Sequence, residues 1–359
     1  MSAPASAVPA RRDGVDALRA YREDGAGAPL DLSDNTCRFG VPPAAAAALA
    51  AFDPAAAARY PSPANHALRA ALAAYAGVAA DEIVTGCGSD DVLDSALRAF
   101  GRPGDRVACL APTFVMLAHY ARANALVPVA VPPRADGAPD VDALLAAGAE
   151  HVYLCAPNNP TGAPLPEGAL ARALAATPGL VILDEAYAEF AGRSEVATAP
   201  ARGRLLVART LSKAFGLAGL RVGWGVGARE LVLAVEKARG PFRVSAPAEA
   251  AAVAALTADL GWMRAHAAEA VAVRERFAAA LRAAGFAPLP SAANFVLVPV
   301  RDAAGAAAAL RAGGVAVRAF AALPGVGDAL RVTVAPWPVL EPVVAALRAA
   351  AAPAVGRAS

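Results

Sequence analysis

From about residue 83 the chain alternates short apolar runs with stretches of helical spacing. The runs are Ile83-Val84, 105–110, 126–131, 151–155, 179–184, 204–209 and 221–226, and helix-like segments such as 90–100 and 114–123 lie between them. A strand buried on both faces needs a nearly continuous apolar run, and helices between such strands cover those faces. The alternation therefore predicts an α/β fold with a mostly parallel sheet between helices. After about residue 228 the pattern changes to long helical stretches over 228–239 and 246–284, the second interrupted near Gly261. Short strands at 294–299, 314–318 and 330–334 and a closing helix at 338–351 complete a smaller α+β unit. The residues up to about 40 are rich in Gly and Asp without a period, so they read as an N-terminal arm packing on the small unit or on a partner. The expected division is arm 1–40, large unit 41–245 and small unit 246–359. A length of 359 residues fits two units, since single cores stop growing at about 250 to 300 residues.

Composition narrows the chemistry by exclusion. The 57% apolar fraction owes much to alanine, with aromatics at only 6%, and no run is long enough to span a bilayer. The first twenty residues lack the apolar centre of a secretory signal, so a cytoplasmic protein is expected. A net charge of +2 without blocks of like charge points to small-molecule partners, with no nucleic acid and no membrane. Cys37, Cys87, Cys109 and Cys155 form no C-x-x-C pair and the four histidines no H-E-x-x-H, so neither a metal site nor a disulfide framework is expected. Cys109 and Cys155 sit in apolar runs, where a thiol packs as a small hydrophobe.

Segment 209–225, RTLSKAFGLAGLRVGWG, is the richest in chemistry. Lys213 follows a strand in an apolar setting, and burial lowers a lysine pKa and makes its neutral amine available to an aldehyde. Thr210, Ser212 and Arg221 add two hydroxyls and a fixed cation, a donor set suited to a phosphate ester. Upstream, TGCGSDDVLDSAL (85–97) places glycines after a strand and opens a helix near Ser89, where free N–H groups attract an anion. In VILDEAYAEF (181–190) Asp184 ends a strand and Tyr187 follows three residues later. A carboxylate there suits a protonated pyridine nitrogen, and the tyrosine suits a phenolate oxygen. APNNPTG (156–162) makes a turn that offers side-chain amides at the same edge, and Phe114 brings a flat ring to a third strand end. Taken singly, each also reads as ordinary structure: a surface lysine, a helix cap, a packed tyrosine, a core phenylalanine.

Taken together, NNPTG, DEAY and TLSKAFGLAGLRVG occur in an order and spacing that resemble the fold-type I pyridoxal phosphate (PLP) dependent aminotransferases. Among these the chain is most similar to the histidinol-phosphate aminotransferase family, over about residues 30–350. The resemblance implies a large PLP-binding domain, a Schiff base on Lys213, and Asp184 as the partner of the pyridine nitrogen. It implies that Asn159 and Tyr187 hold the ring oxygen and that Phe114 stacks on the ring. Ser89, Asp90, Thr210, Ser212 and Arg221 would hold the phosphate, together with Tyr60 reaching in from a second subunit, which implies a homodimer with shared active sites. Arg331 and Arg318 match two family arginines, and Arg331 would grip a substrate carboxylate or the phosphate of histidinol phosphate, as paired guanidinium donors suit either. Asn35 lies in DNTCRFG (34–40), a segment that lines the family's substrate pocket, but Thr36, Cys37 and Arg38 replace its Glu, Asn and Pro. The implied reaction moves an amino group from a small amino donor to a 2-oxo acid by ping-pong kinetics. A PLP-dependent decarboxylase or cyclase of the same fold would keep the cofactor residues. A nicotinamide dehydrogenase is disfavoured because Asp91 stands where G-x-G-x-x-G requires a small residue.

Overall fold

The protein is described from a computed structural model, covering residues 14–18, 20 and 27–354. The rest of the expected arm, residues 1–13, 19 and 21–26, lies outside the described residues. The described part of the arm contributes β1 (Leu30–Asp31), followed by α1 (Pro43–Ala50) and α2 (His66–Ala76). The alternating region follows as β2 (Ile83–Cys87), α3 (Gly88–Phe100), β3 (Arg106–Leu110), α4 (Met116–Ala123), β4 (Val127–Val131) and α5 (Val141–Ala146). It continues with β5 (His151–Cys155), α6 (Ala169–Ala176), β6 (Val181–Asp184), α7 (Ala188–Ala191), β7 (Leu205–Thr210) and β8 (Val222–Val226). Helices α8 (Arg229–Ala238), α9 (Ala246–Ala258) and α10 (Leu260–Ala283) come next. The remaining elements are β9 (Phe295–Pro299), α11 (Ala303–Ala312), β10 (Val315–Ala316), β11 (Arg318–Leu323), β12 (Gly327–Thr333) and α12 (Trp337–Ala350).

The central sheet has seven strands in the order β2-β8-β7-β6-β5-β3-β4. All neighbours run parallel except β8, which is antiparallel to both β2 and β7. Every residue of β5, β6, β7 and β8 is buried, which explains why these strands read as unbroken apolar runs rather than as alternating ones. A three-stranded antiparallel sheet, β11-β12-β9, forms in the C-terminal part, and β1 pairs in parallel with β10. The arm is thus pinned to the C-terminal part by backbone hydrogen bonds.

Two strand expectations need correction, while the interruption expected near Gly261 is found at Asp259, whose carboxylate accepts from the N–H groups of Ala44 (2.7 Å) and Ala45 (3.3 Å) at the start of α1. This satisfies helix-end donors that would otherwise be orphaned. The strand expected at 314–318 is two short strands with different partners, since β10 pairs with β1 and β11 with β12. The strand expected at 330–334 starts earlier, at Gly327, so Arg331 lies inside it opposite Arg318 and Leu297 instead of opening it. Helix α9 packs on α1 and α2, and the alanines that line these helices let their axes come close.

Candidate active site

Strands β5, β6 and β7 end at one edge of the sheet, where ligands bind in open α/β folds. Because β8 runs the other way, it begins at that same edge: Val222 pairs with Cys87 and Gly223 with Thr210. Arg221, one residue before β8, is thereby delivered beside the end of β7 and the start of α3. This topology creates a cavity of about 180 Å³ lined by Asn35, Ser89, Asp90, Phe114, Asn159, Asp184, Tyr187, Thr210, Ser212, Lys213, Arg221 and Arg331, with Asp34, Cys155 and Ala186.

One end of the cavity is a cluster of donors. The Thr210 hydroxyl lies 2.9 Å from the Ser212 hydroxyl, and the Ser212 N–H donates to Thr210 Oγ1 at 3.1 Å. Arg221 donates through Nη1 to Ser212 Oγ (3.4 Å) and through Nη2 to Asp90 Oδ2 (3.1 Å). The close approach of the two chains here depends on glycine. A Cβ on Gly223 would stand 2.0 Å from the Gly88 carbonyl carbon, and one on Gly88, whose φ is +77°, 2.3 Å from Arg221 Nη2. Two hydroxyls, a guanidinium and the first-turn N–H groups of α3 fit a phosphate monoester. The Asp90 carboxylate is placed as an acceptor for Arg221, so its backbone N–H, not its side chain, is what it can offer an anion.

The other end is dry. Asp184 is 3% exposed, and its carboxylate accepts from the Tyr153 hydroxyl (2.8 Å) and the Ala186 N–H (3.1 Å). Burial pushes this carboxyl up to about 6, against the lowering effect of those two bonds. Tyr187 is also buried, and its hydroxyl accepts from Asn35 Nδ2 at 3.0 Å. Asn35 holds a left-handed φ of 59°, which asparagine tolerates. It is fixed there by donating its N–H to Thr333 Oγ1 and accepting at its carbonyl from Asn294 Nδ2, each at 3.0 Å.

Lys213 lies between the two ends. Its Nζ donates to the Asp34 carbonyl at 2.9 Å and stands 5.9 Å from the Tyr187 ring centre. Burial pushes its amine down to about 8; the Arg331 and Arg221 cations act in the same direction and the Asp34 and Asp90 carboxylates oppose them. Arg331, 7% exposed, donates to Asn159 Oδ1 and to the Ser33 carbonyl, both at 2.5 Å, and its guanidinium sits 5.4 Å from the Phe295 ring centre. The cavity thus gathers an amine of lowered pKa, a buried carboxyl, an anion cradle and a fixed guanidinium.

Comparison with known proteins decides the family. The family model described as aminotransferase class I and II matches residues 28–346. This chain belongs to the class I and II aminotransferases. Its relatives include a histidinol-phosphate aminotransferase of Roseiflexus castenholzii, 41% identical over 85% of this chain and 84% of that protein. They also include an aromatic amino acid aminotransferase of Rhodococcus jostii, 40% identical over 85% of this chain and 86% of that one. Among solved structures, the histidinol-phosphate aminotransferase of Sinorhizobium meliloti in complex with pyridoxal-5'-phosphate is similar at a TM-score of 0.84 and 29% identity, covering 96% of this chain and 98% of that one.

Tyr60, expected to reach in from a second subunit, is 84% exposed, stacks on Phe242 with ring centres 4.7 Å apart and does not line the cavity of its own chain. Arg318 faces Arg331 in strand register but does not line the cavity. The departures at Cys37 and Arg38 also fall outside it: both line a separate small cleft with Phe39, Phe190 and His266. Reading the sequence missed Asp34, Tyr153 and Cys155. Only Asp34 carried a signal, as a polar residue beside Asn35; the other two lie inside an apolar run.

Proposed function

We propose that the cavity binds PLP on Lys213 and that the chain transfers an amino group from a donor with an anionic substituent to a 2-oxo acid. The observation that carries this reading is the convergence of Lys213, Asp184 and the Thr210-Ser212-Arg221 cluster on one cavity of about 180 Å³. PLP supplies an aldehyde that condenses with amines and a protonated ring that draws electrons from the carbon bearing the amine. The chain's part is positioning and proton transfer. Thr210, Ser212, Arg221 and the N–H groups of Ser89 and Asp90 would hold the phosphate, while Asn159 and Tyr187 would meet the ring oxygen and Phe114 a ring face. Asp184, kept dry, would hold the proton on the ring nitrogen. With its pKa near 8, the Lys213 amine is neutral often enough to react and then to take the proton from the donor's Cα. Arg331 would hold the donor's carboxylate or phosphate, since its Asn159 and Ser33 contacts fix the guanidinium plane.

The relatives' names favour histidinol phosphate or an aromatic amino acid as donor. The decarboxylase and cyclase readings fit the same residues no better. We also propose a cytoplasmic homodimer in which the exposed Tyr60 reaches the partner's cofactor phosphate, and a division of the chain near Asp259 rather than 245, because α9 packs on α1 and α2. The test is a half-reaction. Holoenzyme mixed with each of a panel of amino donors is expected to lose the visible absorbance of the lysine-bound cofactor and release the matching oxo acid, and 2-oxoglutarate is expected to restore the band. A lysine-bound cofactor that no donor discharges would exclude aminotransfer.

A further inference from the structure

Tyr153 lies in the middle of β5 and is 0% exposed. A phenol hydroxyl taken wholly out of water needs a partner, and a carboxylate in the same position needs donors. The two requirements meet here, since the Tyr153 hydroxyl donates to Asp184 Oδ2 at 2.8 Å across the β5–β6 pair. The other titratable groups around Asp184 are Cys155 on β5, Asp90 on α3, Glu185 next in the chain and Tyr187. None of these donates to it; the Cys155 thiol donates to the Pro157 carbonyl at 3.4 Å. Among the described residues Tyr153 is therefore the side chain that supports the Asp184 carboxylate.

Tyr153 and Cys155 also line a second, larger cavity of about 490 Å³, walled by residues such as Leu110, Pro112, Leu165 and Leu289, and Cys155 lines the first cavity as well.

Resting on the cofactor reading above, we propose that Tyr153 is a positioning residue for Asp184: its hydroxyl occupies Oδ2, leaving the remaining lone pairs for the ring nitrogen's proton. A hydrogen bond to a charged buried group is worth about 1.5–3 kcal/mol, which corresponds to roughly ten- to hundred-fold.

The test uses holoenzyme loaded with PLP carrying ¹⁵N in the ring. Wild type is expected to give the nitrogen signal of a protonated pyridine, and Tyr153→Phe a signal moved towards the unprotonated form, with kcat lower by roughly ten- to hundred-fold. In an Asp184→Asn background the same substitution is expected to change kcat by less than about three-fold, as coupled residues do not add. Incorporating 4-aminophenylalanine at position 153 restores a donor on the same ring and is expected to return the signal towards wild type, even if the Phe variant packs poorly. An unchanged nitrogen signal in Tyr153→Phe beside a working wild type overturns this proposal alone, and so does an equal loss in both backgrounds. Wild-type protein that holds no cofactor on Lys213 overturns the cofactor reading and this one together.

Discussion

The two ends of the cavity hold their charges in opposite ways. At one end Asp184 and Tyr187 are each 3% exposed, and a single carboxylate is supported by two hydrogen bonds. At the other, the side chains of Arg221 and Asp90 keep 44% and 38% of their exposure, and the work is spread over two hydroxyls, a guanidinium and helix-start amides. The dry end makes one group count for much, because an unpaired buried charge costs several kcal/mol. The wet end makes each group count for little, because water and salt screen it. The contrast suits the two tasks proposed for them: controlling one proton on a ring nitrogen, and tethering a dianion that every group would share.

That contrast can be broken by substitution. Asp184→Ala is expected to lower kcat by about 10²–10⁴-fold, the kinetic equivalent of about 3–5 kcal/mol for removing one partner of a buried charge pair. Ser212→Ala at the wet end is expected to weaken PLP binding by only about two- to ten-fold, read from cofactor titration of the apoenzyme. If the Ser212 variant loses as much as the Asp184 variant, the two ends do not differ as described.

The amine between the ends sharpens the picture through pH. Its pKa is lowered to about 8, so the neutral fraction rises with pH and levels off above that value. The rate at which apoenzyme takes up PLP is then expected to fall about five-fold from pH 8 to pH 7, whereas a lysine at the usual value near 10.4 would give about ten-fold per unit and no levelling until pH 10. Stopped-flow absorbance separates the two. The smallest effect is expected of Asp90→Asn. An exposed pair with Arg221 contributes about 0–1 kcal/mol, so cofactor affinity should change by less than about five-fold, in contrast to the Asp184 substitution.

How much of this was legible in the sequence follows from where polar residues interrupt apolar runs. Lys213, Asp184, Asn159 and Arg221 stand just after or just before buried strands, so the strand pattern both predicted the sheet and marked the residues at its edge. Tyr153 sits inside a run, where its ring reads correctly as core, but the partner of its hydroxyl is 31 residues away on the neighbouring strand. Asn35 was identified only through the resemblance, because its position depends on a left-handed φ and on contacts with Asn294 and Thr333, more than 250 residues on. Arg331 looked like a strand opener because β11 and the first two residues of β12, Gly327 and Asp328, are not buried and mask the hairpin. The interruption near Gly261 was legible in the local spacing, but the contact of Asp259 with α1, more than 200 residues away, was not.

The chain offers an unusually clean check of its central assignment, since Lys213 and Lys237 are its only lysines and Lys237 is exposed on α8. Purified holoenzyme reduced with borohydride, digested and weighed peptide by peptide is expected to carry the reduced cofactor on the Lys213 peptide, and Lys213→Ala protein is expected to carry none. Label on the Lys237 peptide, or label that persists in the Lys213→Ala protein, would contradict the account.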